Sequence, residues 1–204
     1  MTIKRIDIYQ DNRFSQNVLY QHGCFLADEV PYEVEIISHS EAVIRGADPE
    51  NYPAIIEDFR FYTPHITRFY DANRRIVKEF TARQILTLQL NQIQPSQFYV
   101  DEDKIAAISS FIQEPDDIII QVLPHQDRYI SLDGHTRLYY AAMKGWQSVR
   151  AVTETADNWV YSFVEEARKR NVHTPKDLML VSHKEYLEKW YRFCDDFFAR
   201  AKDK

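Results

Sequence analysis

Five consecutive residues, Asp133, Gly134, His135, Thr136 and Arg137, hold the densest chemistry in the chain. They follow Tyr129-Ile130-Ser131-Leu132, where Ile130 and Leu132 share one face, and precede a short run with helical spacing up to Lys144. The pattern predicts a strand that ends, a glycine that lets the backbone approach closely, and a helix that begins. The first N–H groups of such a helix have no internal partner, and its dipole favours an anion. Arg137 falls in the first helical turn, where a guanidinium can grip a phosphate through two parallel hydrogen bonds. His135 and Thr136 bring two further donors to the same spot. Asp133 opposes an anion unless it caps the helix, orders Arg137 or holds a metal; Mg²⁺ bridging Asp133 to phosphate oxygens would suit such a site. A plainer arrangement uses the same residues, with Asp133 as cap, Gly134 as turn and Arg137 as a solvated charge.

The elements that must position this turn are legible on both sides of it. A change of pattern near residues 89–94 suggests three parts. Residues 1–84 read as a β-rich layer with one long helix, 85–156 as a compact α/β domain, and 157–204 as a helical tail. In the first part, residues 32–37 and 41–45 predict an antiparallel hairpin. Residues 53–73 carry apolar side chains at helical spacing, with Pro53 near the start and Pro64 expected to kink or split the helix, and 75–80 resembles a strand. In the second part, 85–90 predicts a strand leading to the Pro95-Ser96 turn. Asp101 can cap a helix reaching to Gln113, and 118–123 is a β-branched run suited to a buried strand. A helix from the 133–137 turn to Lys144, stopped by Gly145, and a strand at 149–153 complete a βαβ crossover, expected to be right-handed. In the tail, 158–170 and 183–202 predict helices, and Thr174-Pro175 starts a shorter one through Leu180.

Composition narrows the function classes. Of 204 residues, 45% are hydrophobic and 27% charged, the balance of a globular protein. The net charge of -6 disfavours a nucleic-acid partner, which would be repelled unless basic residues cluster. Arg68, Arg74, Arg75 and Lys78 do cluster, but Asp71 and Glu79 lie among them, as on a solvated face. No apolar run is long enough for a membrane span, and the first residues lack a signal peptide's apolar core, so a cytoplasmic location is expected. The two cysteines, Cys24 and Cys194, are far apart and expected to be reduced. His22, Cys24 and His39 match no zinc spacing, and no serine sits in a nucleophile-elbow context. The aromatic run Trp190 to Phe198 predicts core packing, with a homodimer interface as its other use.

The order of elements from Ile93-Gln94-Pro95 through the 133–137 turn to Gly145 and Val149 resembles the ParB/sulfiredoxin fold, over under a third of the chain. The resemblance implies an α/β (α+β) nucleotide-binding domain in which a glycine-containing turn ending in Arg grips phosphates. Sulfiredoxin-like members place a catalytic Cys in the turn, where this chain has His135. Chromosome-partitioning members carry a Gly-Glu-Arg-Arg turn and a DNA-reading helix pair. Gly134 and Arg137 match that turn, but the acidic, aromatic tail does not suit a DNA reader. The branch resembling free-serine kinases has Asp-Gly-His-His-Arg, which Asp133, Gly134, His135 and Arg137 match and Thr136 does not. By this resemblance, Gly134, His135, Thr136 and Arg137 would hold ATP or ADP with Mg²⁺, for phosphoryl transfer to a small hydroxyl-bearing molecule such as an amino acid.

That branch has a Glu after the first-strand proline; here the stretch is Pro95-Ser96-Gln97, and an amide cannot act as a base. Asp101 and Glu102 are the nearest substitutes, so the candidate catalytic set is Asp133, His135, Asp101 and Glu102. Asp101 also has the capping role available. A small-molecule kinase is thus the leading reading, and a nucleotide-responsive regulatory protein without chemistry is the alternative. A DNA-partitioning relative is disfavoured by charge.

Overall fold

A computed structural model of the chain describes residues 1–202 and divides it into two compact units, Met1–Ile85 and Leu86–Lys204. The architecture is mixed α/β, with strands in three sheets among the described residues. No helix among them is long and apolar enough to cross a membrane.

The first unit runs β1 (Ile3–Arg5), α1 (Gln16–Tyr20), β2 (Cys24–Ala27), β3 (Val30–Ile36), β4 (Glu41–Gly46), α2 (Tyr52–Tyr62), β5 (Arg68–Tyr70) and β6 (Ile76–Glu79). Its six strands lie in sequence order in one sheet. The expected hairpin is β3 and β4, paired antiparallel from Tyr32↔Gly46 to Ile36↔Ala42. The helix expected over 53–73 is half that length. Ile55, Ile56 and Phe59 bury its inner face, and the chain leaves the helix at Thr63, whose Oγ1 donates to the Phe59 carbonyl at 2.9 Å. Pro64 cannot continue the ladder. Beyond it, Arg68 is exposed and Phe69 buried, a period of two, and the segment pairs parallel with β4 as β5.

The second unit continues β7 (Leu86–Gln89), β8 (Ile93–Pro95), β9 (Tyr99–Asp101), α3 (Glu102–Ile108), β10 (Ile119–His125), β11 (Arg128–Ser131), α4 (His135–Met143), β12 (Ser148–Thr153), α5 (Trp159–Lys169), β13 (Met179–Val181), α6 (His183–Tyr186), a π turn (Leu187–Tyr191) and α7 (Arg192–Lys202). Its main sheet has the order β7-β12-β10-β11-β8. The expected βαβ crossover from β11 through α4 to β12 needs correcting. β11 pairs antiparallel with β10, and β10 pairs parallel with β12. The parallel pair joined through this stretch is therefore β10 and β12, with the β11 hairpin arm and α4 both lying in their connection, while β11 pairs parallel with β8 on its other side.

Two more expectations change. The helix from Asp101 stops at Ile108 rather than Gln113, because Ser109 and Ser110 turn their hydroxyls back onto the carbonyls of Ala106 and Ala107, both at 2.7 Å. The helix expected over 174–180 is a single 3₁₀ turn, Pro175–Asp177, followed by β13. β13 pairs parallel with β9 in a separate two-stranded sheet, aligning Val181 with Asp101. The long-range pairing overrides the local Thr-Pro start signal. Residues 183–202 are helical as expected, but with the π turn inside. The tail helices belong to the second unit's core, where Phe163 of α5 meets Trp190, Phe193 and Phe197 edge-on with centroids 4.8–5.7 Å apart.

Candidate functional site

The 133–137 turn sits where β11 gives way to α4. Gly134 is the N-cap of α4 in the left-handed region, φ 81° and ψ 21°. A Cβ there would fall 2.5 Å from Ile120 Cγ2 and 3.1 Å from Arg137 Nη2, so both backbone and packing demand glycine. Gly134 offers the helix no side-chain cap. The first intrahelical bond runs from Leu138 N–H to the Gly134 carbonyl at 2.9 Å, so the N–H groups of His135, Thr136 and Arg137 precede the ladder.

Arg137 is held in place by the fold. Nη1 donates to the Ile119 carbonyl and Nη2 to Asp133 Oδ2, both at 2.6 Å. Asp133 thus orders Arg137, one of the roles open to it from the sequence. The guanidinium is about a quarter exposed and keeps donors beyond the two in use. Asp133 is therefore already engaged in an ion pair. Its Oδ2 already accepts from a cation, and a second cation would have to displace or share it.

His135 turns inward. Its ring is buried, and Nε2 accepts from Gln97 N–H at 3.2 Å, with Ser131 Oγ at 3.0 Å and Ser96 Oγ at 3.2 Å. Nε2 as acceptor places the ring proton on Nδ1. Burial pushes the imidazole down to about 4, with Arg137 adding to the effect, so it is neutral at pH 7. Its role in this geometry is to bind the turn to the 96–97 segment. Thr136 stays half-buried on the first helical turn.

The same segment leads to the second group. Gln97 donates from Nε2 to the Tyr99 carbonyl and, at 3.2 Å, to the Tyr186 hydroxyl, so its amide is a structural tie. Four residues on, Asp101 caps α3 by accepting from Asp103 N–H at 3.0 Å. Its other oxygen pairs with His183 Nδ1 at 2.7 Å. Glu102 is exposed on the first turn of α3. Among the described residues, neither Asp101 nor Glu102 hydrogen-bonds to the 133–137 turn. The sequence reading found Asp101 but not His183 or Asp103. One ligand-type atom from each of Asp101, Asp103 and His183 lies within 4.8 Å of the others. Asp101 and His183 are 82 positions apart with no spacing signal, and the β9–β13 pairing brings them together.

Both thiols are free, and burial raises them, Cys24 to about 12 and Cys194 to about 11. Neither is a thiolate at neutral pH, so neither is primed for cysteine chemistry.

No family model matches the chain, and no curated protein matches it. Among solved structures, protein Atu1540 from Agrobacterium tumefaciens is similar at 14% identity and a TM-score of 0.34, over 48% of this chain. The chain spans 63% of that protein's length. A likeness of that size identifies neither family nor activity.

Proposed function

We propose that the second unit binds a nucleotide through its phosphates at the 133–137 turn, and that the protein acts as a phosphotransferase on a small hydroxyl-bearing molecule. The observation that carries this reading is an uncapped helix start at Gly134 with the Arg137 guanidinium fixed beside it. An anion there would meet N–H groups that have no helical partner and a cation already held in place, which lowers the ordering cost of binding. The resemblance of the turn to Asp-Gly-His-His-Arg points to ATP or ADP. Phosphoryl transfer asks mainly for positioning and charge neutralisation.

A second reading, a nucleotide-responsive regulatory protein without chemistry, is favoured by Gln97. The amide is tied to Tyr99 and Tyr186 and cannot take a proton from an acceptor hydroxyl.

Calorimetric titration of ATP, ADP and CTP with Mg²⁺ into the native chain and Arg137→Ala tests the binding claim. Loss of the guanidinium should weaken binding by roughly 1.5–3 kcal/mol, at least tenfold. No binding by the native chain to any of the three would return the turn to a purely structural role. Turnover of the bound nucleotide with serine present separates the kinase from the regulator.

A further inference from the structure

A separate inference concerns the group built from Asp101, Asp103 and His183, and does not rest on the nucleotide reading. Asp101 is its centre. Its side chain is 1% exposed, and its ionic partner is a half-exposed histidine rather than an arginine or lysine. A buried carboxylate is costly unless its charge is compensated as well as its hydrogen bonds. The Asp103 N–H and the His183 imidazole are the partners of the two Asp101 oxygens. Asp103 adds a second negative group at the same place.

The strands deliver these side chains in parallel. β9 and β13 run side by side, Asp101 ends the first, and His183 follows the second by two residues. Both chains then turn into helices, so the three groups converge at the carboxyl ends of two parallel strands. The starts of α3 and α6 oppose a cation there, each with at most roughly half an elementary charge. Two carboxylates outweigh both.

We propose that Asp101, Asp103 and His183 bind a divalent first-row transition metal ion, of the Zn²⁺ or Mn²⁺ class. One nitrogen and two carboxylate ligands suit that class, whereas Ca²⁺ and Mg²⁺ prefer oxygen alone. His183 binds the ion through Nδ1 with its proton on Nε2; a proton that stood on Nδ1 moves to Nε2, or to solvent where Nε2 already carries one. Because Asp103 and His183 are exposed, the ion keeps open positions for water or a small ligand.

The test is titration of ZnCl₂ and MnCl₂ into the full chain after chelator treatment and dialysis, followed by calorimetry, with Co²⁺ absorbance as a second readout. His183→Ala and Asp103→Asn are the variants, since both residues are exposed and the buried Asp101 stays in place. The expected result is one equivalent bound with a dissociation constant below about 10 µM, weakened at least tenfold in each variant. Far-UV circular dichroism checks that the variants remain folded. No saturable binding of either ion to the native chain overturns the proposal. So does equal binding in the variants, which would mark unrelated surface groups. If His183→Ala only shifts the urea midpoint and no metal binds, the pair is a structural tie alone.

Discussion

Two junctions of the second unit share a plan, a strand ending where a helix begins, and differ in the residue at the boundary. At the β11–α4 junction the boundary residue is Gly134, which has no side chain to offer the helix, and the start stays uncapped with Arg137 beside it. At the β9–α3 junction it is Asp101, whose carboxylate fills the helix start and draws in His183. The first is open to an anion and the second is closed to one. The boundary residue thus decides whether a helix start is filled by the chain's own side chain or left without one.

The largest expected effect comes from giving the first junction a side chain. Gly134→Ala must place a Cβ in the left-handed region and against Ile120. It should cost roughly 2–5 kcal/mol by urea denaturation. Gly145→Ala provides the contrast: φ is 74° there too, but a Cβ would meet nothing within 4 Å. Its cost should be only about 1 kcal/mol, and equal costs at the two glycines would refute the packing argument.

Acid should act next most strongly, through His135. Its folded value of about 4 lies below the ordinary 6.5, so the unfolded chain takes up the proton first. Stability from this group is full above pH 6.5 and is lost as pH falls towards 4. By pH 5 the loss should reach about 2 kcal/mol. Urea midpoints at pH 7.5 and 5.0, on the native chain and on His135→Gln, would show whether this histidine carries the slope.

Removing the carboxylate at the closed junction ranks third. Asp101→Ala loses a cap worth about 1 kcal/mol and a hydrogen bond of similar size. Asp101→Asn keeps an oxygen for Asp103 N–H and should recover about half of that loss. If the two variants melt alike, the cap contributes little. The smallest effect belongs to Glu102→Gln, an exposed neighbour, which should stay within about 0.5 kcal/mol.

What could be read in advance follows the range of the interactions. Gly134, the helix behind it, the stop at Gly145 and the cap at Asp101 are set by residues within a turn or two, and the sequence pattern shows all of them. The β3–β4 hairpin is similarly local. Pro64 marks the break after α2, but β5 beyond it is not legible, because its apolar residues also satisfy helical spacing and only pairing with β4 selects strand. β13 was missed for the same reason, since its partner β9 lies far back in the chain. His183 depends on that pairing, so the sequence does not show that it meets Asp101. The inward turn of His135 was hidden too, because a histidine at a helix start looks the same whether it faces solvent or Ser96 and Ser131.

The π turn at Leu187–Tyr191 carries one further consequence. A π turn amounts to one residue inserted into an α-helix, and one residue corresponds to about 100° of rotation. The amino-terminal half of this long helix presents His183 and Tyr186 to Asp101 and Gln97. The carboxyl-terminal half presents Phe193 and Phe197 to Phe163. The insertion works as a phase shifter between two docking tasks that a regular helix would leave out of step. Deleting the exposed Glu188 would shorten the helix by only about 1.5 Å, yet one of the two faces would have to let go.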